Sequence, residues 1–394
     1  MADHSMFSPS AAERWMHCPG SLHMARMFPS SSSAAAEEGS LAHELAEAKI
    51  NGRTDLDDLH SRIDEFYKNH PEQPGSFTDM VDYLDPYVDY VNATYQAALK
   101  EDPSAVLMTE QRIDYSEIAP GGFGTADVII IGGGCATIID LKFGKGVKVS
   151  ARENPQIRIY AYGVVEAFNL VYDFTNVKMV IYQPRLDSVT EETMTVENLT
   201  AWALFEVKPA AKDALSENPT YRPGEWCTSH FCPGAGACKA RADYALALER
   251  HSGKDPALLT DEELSDALTR AAILESWAKA LNKYALDEAV AGHAIPGWKV
   301  IESVSKRVFS DEDKVAEAAV KAGYDRALLY KSSLIGITEM EKLMGKKNFG
   351  KVLGDLVIKP KGKPKLAPES DEKPAFDVKK SIKDEFDDED ELPF

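Results

Sequence analysis

Residues 136–146 read ATIIDLKFGKG. Branched apolar residues bounded by glycines predict a core β-strand, yet Asp140 and Lys142 interrupt it. Side chains alternate faces along a strand, so these two charges share one face while Ile139 and Leu141 occupy the other. Upstream, TADVIII (125–131) predicts a second strand, and Gly132-Gly133-Gly134-Cys135 joins the two. A glycine pair is a standard two-residue hairpin turn. With Gly133 and Gly134 as the turn residues, Asp127 pairs directly with Asp140, their Cβ atoms about 4.5–5.5 Å apart. Two facing carboxylates repel, and one is driven protonated unless a cation sits between them. A hard divalent cation such as Mg²⁺ is held by one or two carboxylates plus waters and substrate phosphate. Lys142, on the same face, can orient or deprotonate a water, or neutralise charge developing on phosphate. The plainer alternative has both aspartates ending their strands in solvent, with Lys142 paired to one of them.

Around this hairpin the chain reads as mixed α/β. AVLMTEQRID (105–114) and NVKMVIYQP (176–184) predict further strands. NPQIRIYAYGVVEAF (154–168) predicts a helix with Asn154 as N-cap and Pro155 at the first helical position. Helical stretches precede the strands: SPSAAERWMHCPGS near the start, SLAHELAEAKI (40–50) after a small, polar loop at 30–39, and 54–101, punctuated by Pro71, Pro74 and Pro86. The order is therefore helix, three antiparallel strands, helix, strand. Beyond residue 240 the pattern is mostly helical. Thr260 and Glu263 form a capping-box pattern opening a helix that ends near Gly292. GWKVIES (297–303) predicts a short strand, and Ser310 and Asp313 open a helix closed by Gly323. The expected division is a core domain over 1–250, a mainly helical region over 251–358, and a disordered tail over 359–394.

The chain has 394 residues and a net charge of −20, a poor balance for nucleic-acid binding unless the binding surface is a local groove. The charge is unevenly spread. Lys342 to Lys365 holds eight lysines and one acid, and Glu369 to Phe394 holds eleven acids and four lysines. No stretch approaches the roughly 20 apolar residues that span a bilayer, and MADHSMFSPS does not read as a signal peptide. The expected location is the cytoplasm. Five cysteines there argue against a disulfide framework and leave metal or cluster ligation open.

Asp127, then Asp140-x-Lys142, then Gln156-x-x-x-Tyr160 resembles the RecB/AddB-like branch of the PD-(D/E)XK nuclease superfamily. GSLAHELAE supplies His43 where that branch carries an upstream helical histidine. The resemblance implies a restriction-endonuclease-like α/β fold, a mixed sheet flanked by helices with a helical C-terminal region. It implies a Mg²⁺- or Mn²⁺-dependent DNA exonuclease, with a 5′→3′ polarity, serving phage recombination or replication. Asp127, Asp140 and His43 then hold metal, Lys142 assists the attacking water, and Gln156 and Tyr160, on one helical face, position DNA. Glu110, on the preceding strand, is a further acid for the metal side. Cys18 before the core, with Cys227, Cys232 and Cys238 after it, is similar to the set that ligates a [4Fe–4S] cluster in part of this branch; zinc is the alternative. From about Ser8 to Pro374 the chain resembles a phage-encoded family within the branch. The end, DDEDELPF, resembles the tail of bacterial single-stranded DNA-binding proteins, where Leu392, Pro393 and Phe394 would enter a partner's apolar pocket. A non-catalytic DNA-binding or partner-recruiting protein on the same fold is the competing reading.

Overall fold

The computed structural model describes residues 5–28, 33–71, 73–251 and 253–301, with the single positions 321, 345 and 351. The chain divides into two compact units, Met1–Ile301 and Glu302–Phe394, and the elements named here belong to the first. The helix predicted from Ser310, the basic stretch as a whole and the acidic tail with Leu392, Pro393 and Phe394 lie outside the described residues.

Five helices precede the sheet: α1 (Ala12–His17), α2 (Ser21–Met27), α3 (Ala34–Ile50), α4 (Asp57–Asn69) and α5 (Phe77–Glu101). The sheet has five strands in spatial order: β1 (Val106–Asp114), β2 (Phe123–Gly132), β3 (Cys135–Leu141), β4 (Asn176–Gln183) and β5 (Ser188–Thr195). Neighbours are antiparallel except β3 and β4, which are parallel. A parallel pair needs a crossover, and α6 (Pro155–Phe168) supplies it. Its start is set locally. The Asn154 side chain accepts from the N–H groups of Gln156 and Ile157 at 3.0 and 3.4 Å, and Pro155 follows it.

The β2–β3 register is the one the glycine turn requires, with Gly132 opposite Cys135 and Val128 opposite Ile139. Gly133 and Gly134 both have positive φ, 60° and 72°, the backbone that a two-residue turn of type I′ needs at both positions. Both faces of the sheet are covered. Ile129, Ile131 and Ile138 pack with α6 residues and with Phe7 and Trp15. Val128, Ile130, Ile139 and Leu141 pack with residues of α3, α4 and α5. β3 is thus buried on both faces, as strands flanked by helices are. Ile138 shares the face of Asp140 and is fully buried. The polar site is confined to the strand's C-terminal end.

Three features depart from the sequence reading. β5, SVTEETMT, is an edge strand too polar to announce itself, and its residues are mostly half-exposed or exposed. Residues 297–301 form no strand. Pro86 lies inside α5 rather than ending it. After the sheet come α7 (Val196–Trp202), α8 (Lys208–Ala214), α9 (Trp226–Ser229), α10 (Lys239–Leu246) and α11 (Asp261–Val290). The Thr260–Glu263 capping box opens α11 as predicted. Among the described residues no helix is long and apolar enough to cross a membrane.

α6 lies so close to β1 that a Cβ at Gly163 would strike Ile113 Cγ2 and come within 3.0 Å of the Asp114 carbonyl oxygen. The carbonyl is backbone and cannot swing aside. Gly163→Val is therefore expected to destabilise the protein by about 1–3 kcal/mol through overpacking, read as a lower urea midpoint.

Candidate metal centre

The strand register assembles a row of carboxylates. On β1, Thr109 pairs with Val128 and Gln111 with Ala126, so Glu110 falls across from Asp127. On β3, Ile139 pairs with Val128, so Asp140 falls across from Asp127 on its other side. Glu110 has φ of +48°, a conformation that costs a residue with a Cβ roughly 1–3 kcal/mol. The kink interrupts the ladder there and leaves the Glu110 carboxylate 3.9 Å from His43 Nδ1 on α3.

Asp127 is held from two directions. Its Oδ2 accepts the Leu141 N–H at 2.7 Å, and its Oδ1 lies 3.3 Å from His43 Nδ1. Asp140 is buried, at 4% exposure. Its Oδ1 accepts from Gln156 Nε2 at 3.0 Å. Its Oδ2 has Lys142 Nζ 3.0 Å away but receives no well-directed hydrogen bond. Lys142 Nζ also donates to Gln156 Oε1 at 2.9 Å. Gln156 thus reads both charged neighbours at once, its amide N–H on the carboxylate and its oxygen on the ammonium. Tyr160, one turn further along α6, is buried; burial, then the charges of Asp140 and Asp127, push its hydroxyl far above the usual range.

The electrostatics follow from crowding acids in a dry place. Burial opposes charge on His43, but Asp127, by charge and hydrogen bond, with Glu110 and Asp140, outweighs it and raises the imidazole to about 10. Burial also pushes Asp140 up; the charge of Asp127 adds to that while Lys142 and His43 oppose it. Five acidic or basic groups, His43, Glu110, Asp127, Asp140 and Lys142, therefore act on one another within one cluster. A divalent cation would replace the His43 proton and relieve the repulsion between the carboxylates.

His43, Glu110 and Asp127 bring ligand atoms within 4.8 Å of one another. Carboxylate oxygens with one imidazole suit a hard cation such as Mg²⁺ or Mn²⁺. The open lone pair on the buried Asp140 Oδ2 fits the same charge. Sequence reasoning missed Tyr87, fully buried on α5, whose hydroxyl is pushed well above its usual range by burial and by Asp127, Asp140 and Glu110. No motif marks it; it reaches the site because α5 packs on that face.

The cysteine-ligated cofactor is corrected. Among the described residues, the group of side chains gathered as a metal site is the oxygen-and-nitrogen set above, and no cysteine belongs to it. Cys18, Cys227, Cys232 and Cys238 instead line one cavity with Arg14, Tyr221 and Trp226. Burial raises the thiols of Cys18, Cys227 and Cys232, the last to about 11. The N-terminal segment is tied to this region by other means. Arg14 donates to the His230 and Phe231 carbonyls at 3.0 and 3.1 Å, and His17 stacks on Trp226 with centroids 4.5 Å apart.

A solved structure described as the crystal structure of SSO0001 is similar over 46% of this chain and 82% of that one, at 16% identity and a TM-score of 0.21, values that carry no argument. Residues 4–374 match the family described as protein of unknown function (DUF2800), and the chain belongs to that family.

Proposed function

We propose that this protein is a metal-dependent deoxyribonuclease of the RecB-like type, an exonuclease on a restriction-endonuclease-like core, acting in phage DNA recombination or replication. The observation that carries this reading is the row Glu110, Asp127 and Asp140 across three strands, with His43 over one end and Lys142 joined to the other through Gln156. His43, Glu110, Asp127 and Asp140 would hold the cation. When bound, Mg²⁺ or Mn²⁺ supplies a Lewis acid that polarises phosphoryl oxygen and lowers the pKa of water.

The chain's own residues do the rest. Lys142 has three donors. One goes to Gln156 and one faces Asp140, which leaves a third for an attacking water or a phosphate oxygen. Gln156 fixes where that ammonium sits, and Asp140 keeps a positive charge beside the place where negative charge grows. Tyr160 stays protonated and closes the α6 side. The tail would recruit a replication partner through Leu392, Pro393 and Phe394.

The test is hydrolysis of end-labelled linear DNA with Mg²⁺ or Mn²⁺. Full activity in Asp140→Ala or Lys142→Ala would sink the assignment. Metal loading has its own readout. Mn²⁺ at 100 times its dissociation constant is expected to stabilise the fold by about 2.7 kcal/mol. That gain appears as a rise in thermal midpoint, and it should vanish in Asp127→Ala.

A further inference from the structure

Charge is polarised across the sheet on either side of the candidate centre. On the β1 side stand acids: Glu110 and, on α3, Glu47, which feels its charge, with Glu44 nearby but paired to Arg62. On the β4 side the chain leaves Lys142 as Phe143-Gly144-Lys145-Gly146-Val147-Lys148, and residues 144–148 are exposed. This loop is anchored. Gln183, at the end of β4 and 2% exposed, donates from Nε2 to the Val147 carbonyl at 2.9 Å and accepts the Val149 N–H on Oε1 at 2.7 Å. Its buried amide acts as a substitute strand for the loop backbone. Just before the loop, the Lys142 N–H donates to the Tyr182 carbonyl at 2.9 Å. Lys145 and Lys148 thus stand exposed three and six residues after Lys142, on a backbone pinned at Val147 and Val149, in a protein of net charge −20.

Resting on the nuclease reading, we propose that Lys145 and Lys148 grip the sugar–phosphate backbone of the strand being cut. The strand lies over the 144–148 loop on the β4 side and away from the acidic α3 side. Gln183 is the positioning residue that holds the loop in place. A long-chain polyanion over Glu47 and Glu110 would meet like charge, and over the loop it releases counterions.

The test uses the full chain, a fluorescently labelled single-stranded DNA 20-mer, and Ca²⁺ in place of Mg²⁺, with anisotropy read across a salt series. Removing two phosphate contacts is expected to flatten the slope of log K against log salt by about 1.4. Lys145→Ala/Lys148→Ala should therefore weaken binding about tenfold at low salt. With Mg²⁺ it should raise KM while leaving kcat near its original value. Lys239→Ala/Lys279→Ala removes the same charge from exposed positions on α10 and α11 and should change neither. An unchanged slope in the loop variant, an equal loss in the control, or no binding by the unaltered chain overturns the proposal. Failure of the nuclease reading shows separately, as binding with loop dependence but no cleavage under any divalent ion.

Discussion

Under the proposed nuclease function, Lys142→Met is expected to lower metal-dependent DNA cleavage by about 10²–10³-fold, the scale of losing one preorganised group at developing charge. Methionine keeps most of the side chain's bulk and removes its charge and donors. Two consequences follow from the geometry. Gln156 Oε1 loses its donor at 2.9 Å, and Asp140 Oδ2 loses the cation 3.0 Å away. The buried Asp140 carboxyl, already raised by burial, is then free to take a proton, which limits the damage to stability. The variant should therefore fold, which near- and far-UV circular dichroism would check. Its loss should fall on kcat, because the missing interaction belongs to the transition state. Cleavage at the original rate would remove Lys142 from the chemistry.

Glu38→Ala is expected to destabilise the fold by about 3 kcal/mol or more. Glu38 is buried on α3, at 5% exposure. Its Oε1 accepts from Arg185 Nη1 at 2.7 Å and from the Tyr67 hydroxyl at 3.0 Å. Arg185, just beyond β4, is itself largely buried and lies over the Phe143 and Tyr83 rings. Removing one partner of a buried pair leaves the other charge uncompensated, at about 3–5 kcal/mol. The ring contacts of Arg185 are present with or without Glu38 and leave this difference unchanged. The double variant Glu38→Leu/Arg185→Met should recover most of the loss, because replacing both charges removes the desolvation penalty together with the attraction. Urea denaturation of the two single variants and the double closes the cycle. The pair also binds α3, which carries His43, to the segment after β4. Glu38→Ala should therefore weaken Mn²⁺ binding as well, although Glu38 is not among the metal-side groups.

Much of the centre is legible in the sequence. Asp127 and Asp140 come together because Gly133-Gly134 permits one register and no neighbouring one: a slip by one residue would turn every β3 side chain to the opposite face. Gln156 reaches Asp140 and Lys142 because Asn154 and Pro155 fix where α6 begins. Glu110 was less legible. The segment between β1 and β2, residues 115–122, is too long to dictate a register, and the positive φ that displaces the Glu110 carboxylate has no signature in a residue with a full side chain. The cysteines misled because order along the chain resembles a ligand set while saying nothing of where the sulfur atoms come to lie; the metal group that the fold gathers holds no cysteine.

By itself the sequence determined what short-range rules control: the hairpin register, the start of α6, the capping box of α11 and the alternation that sets Asp140 beside Lys142. Those rules act over a few residues, where backbone geometry leaves few choices. The tertiary structure decided what depends on distant segments meeting. It brought His43 and Tyr87 to the carboxylates through packing of α3 and α5. It buried both faces of β3, and it placed Gln183 under the lysine loop. It also gathered Cys18, Cys227, Cys232 and Cys238 around one cavity. Burial and the charges of distant neighbours decide such things, and neither is written in local spacing.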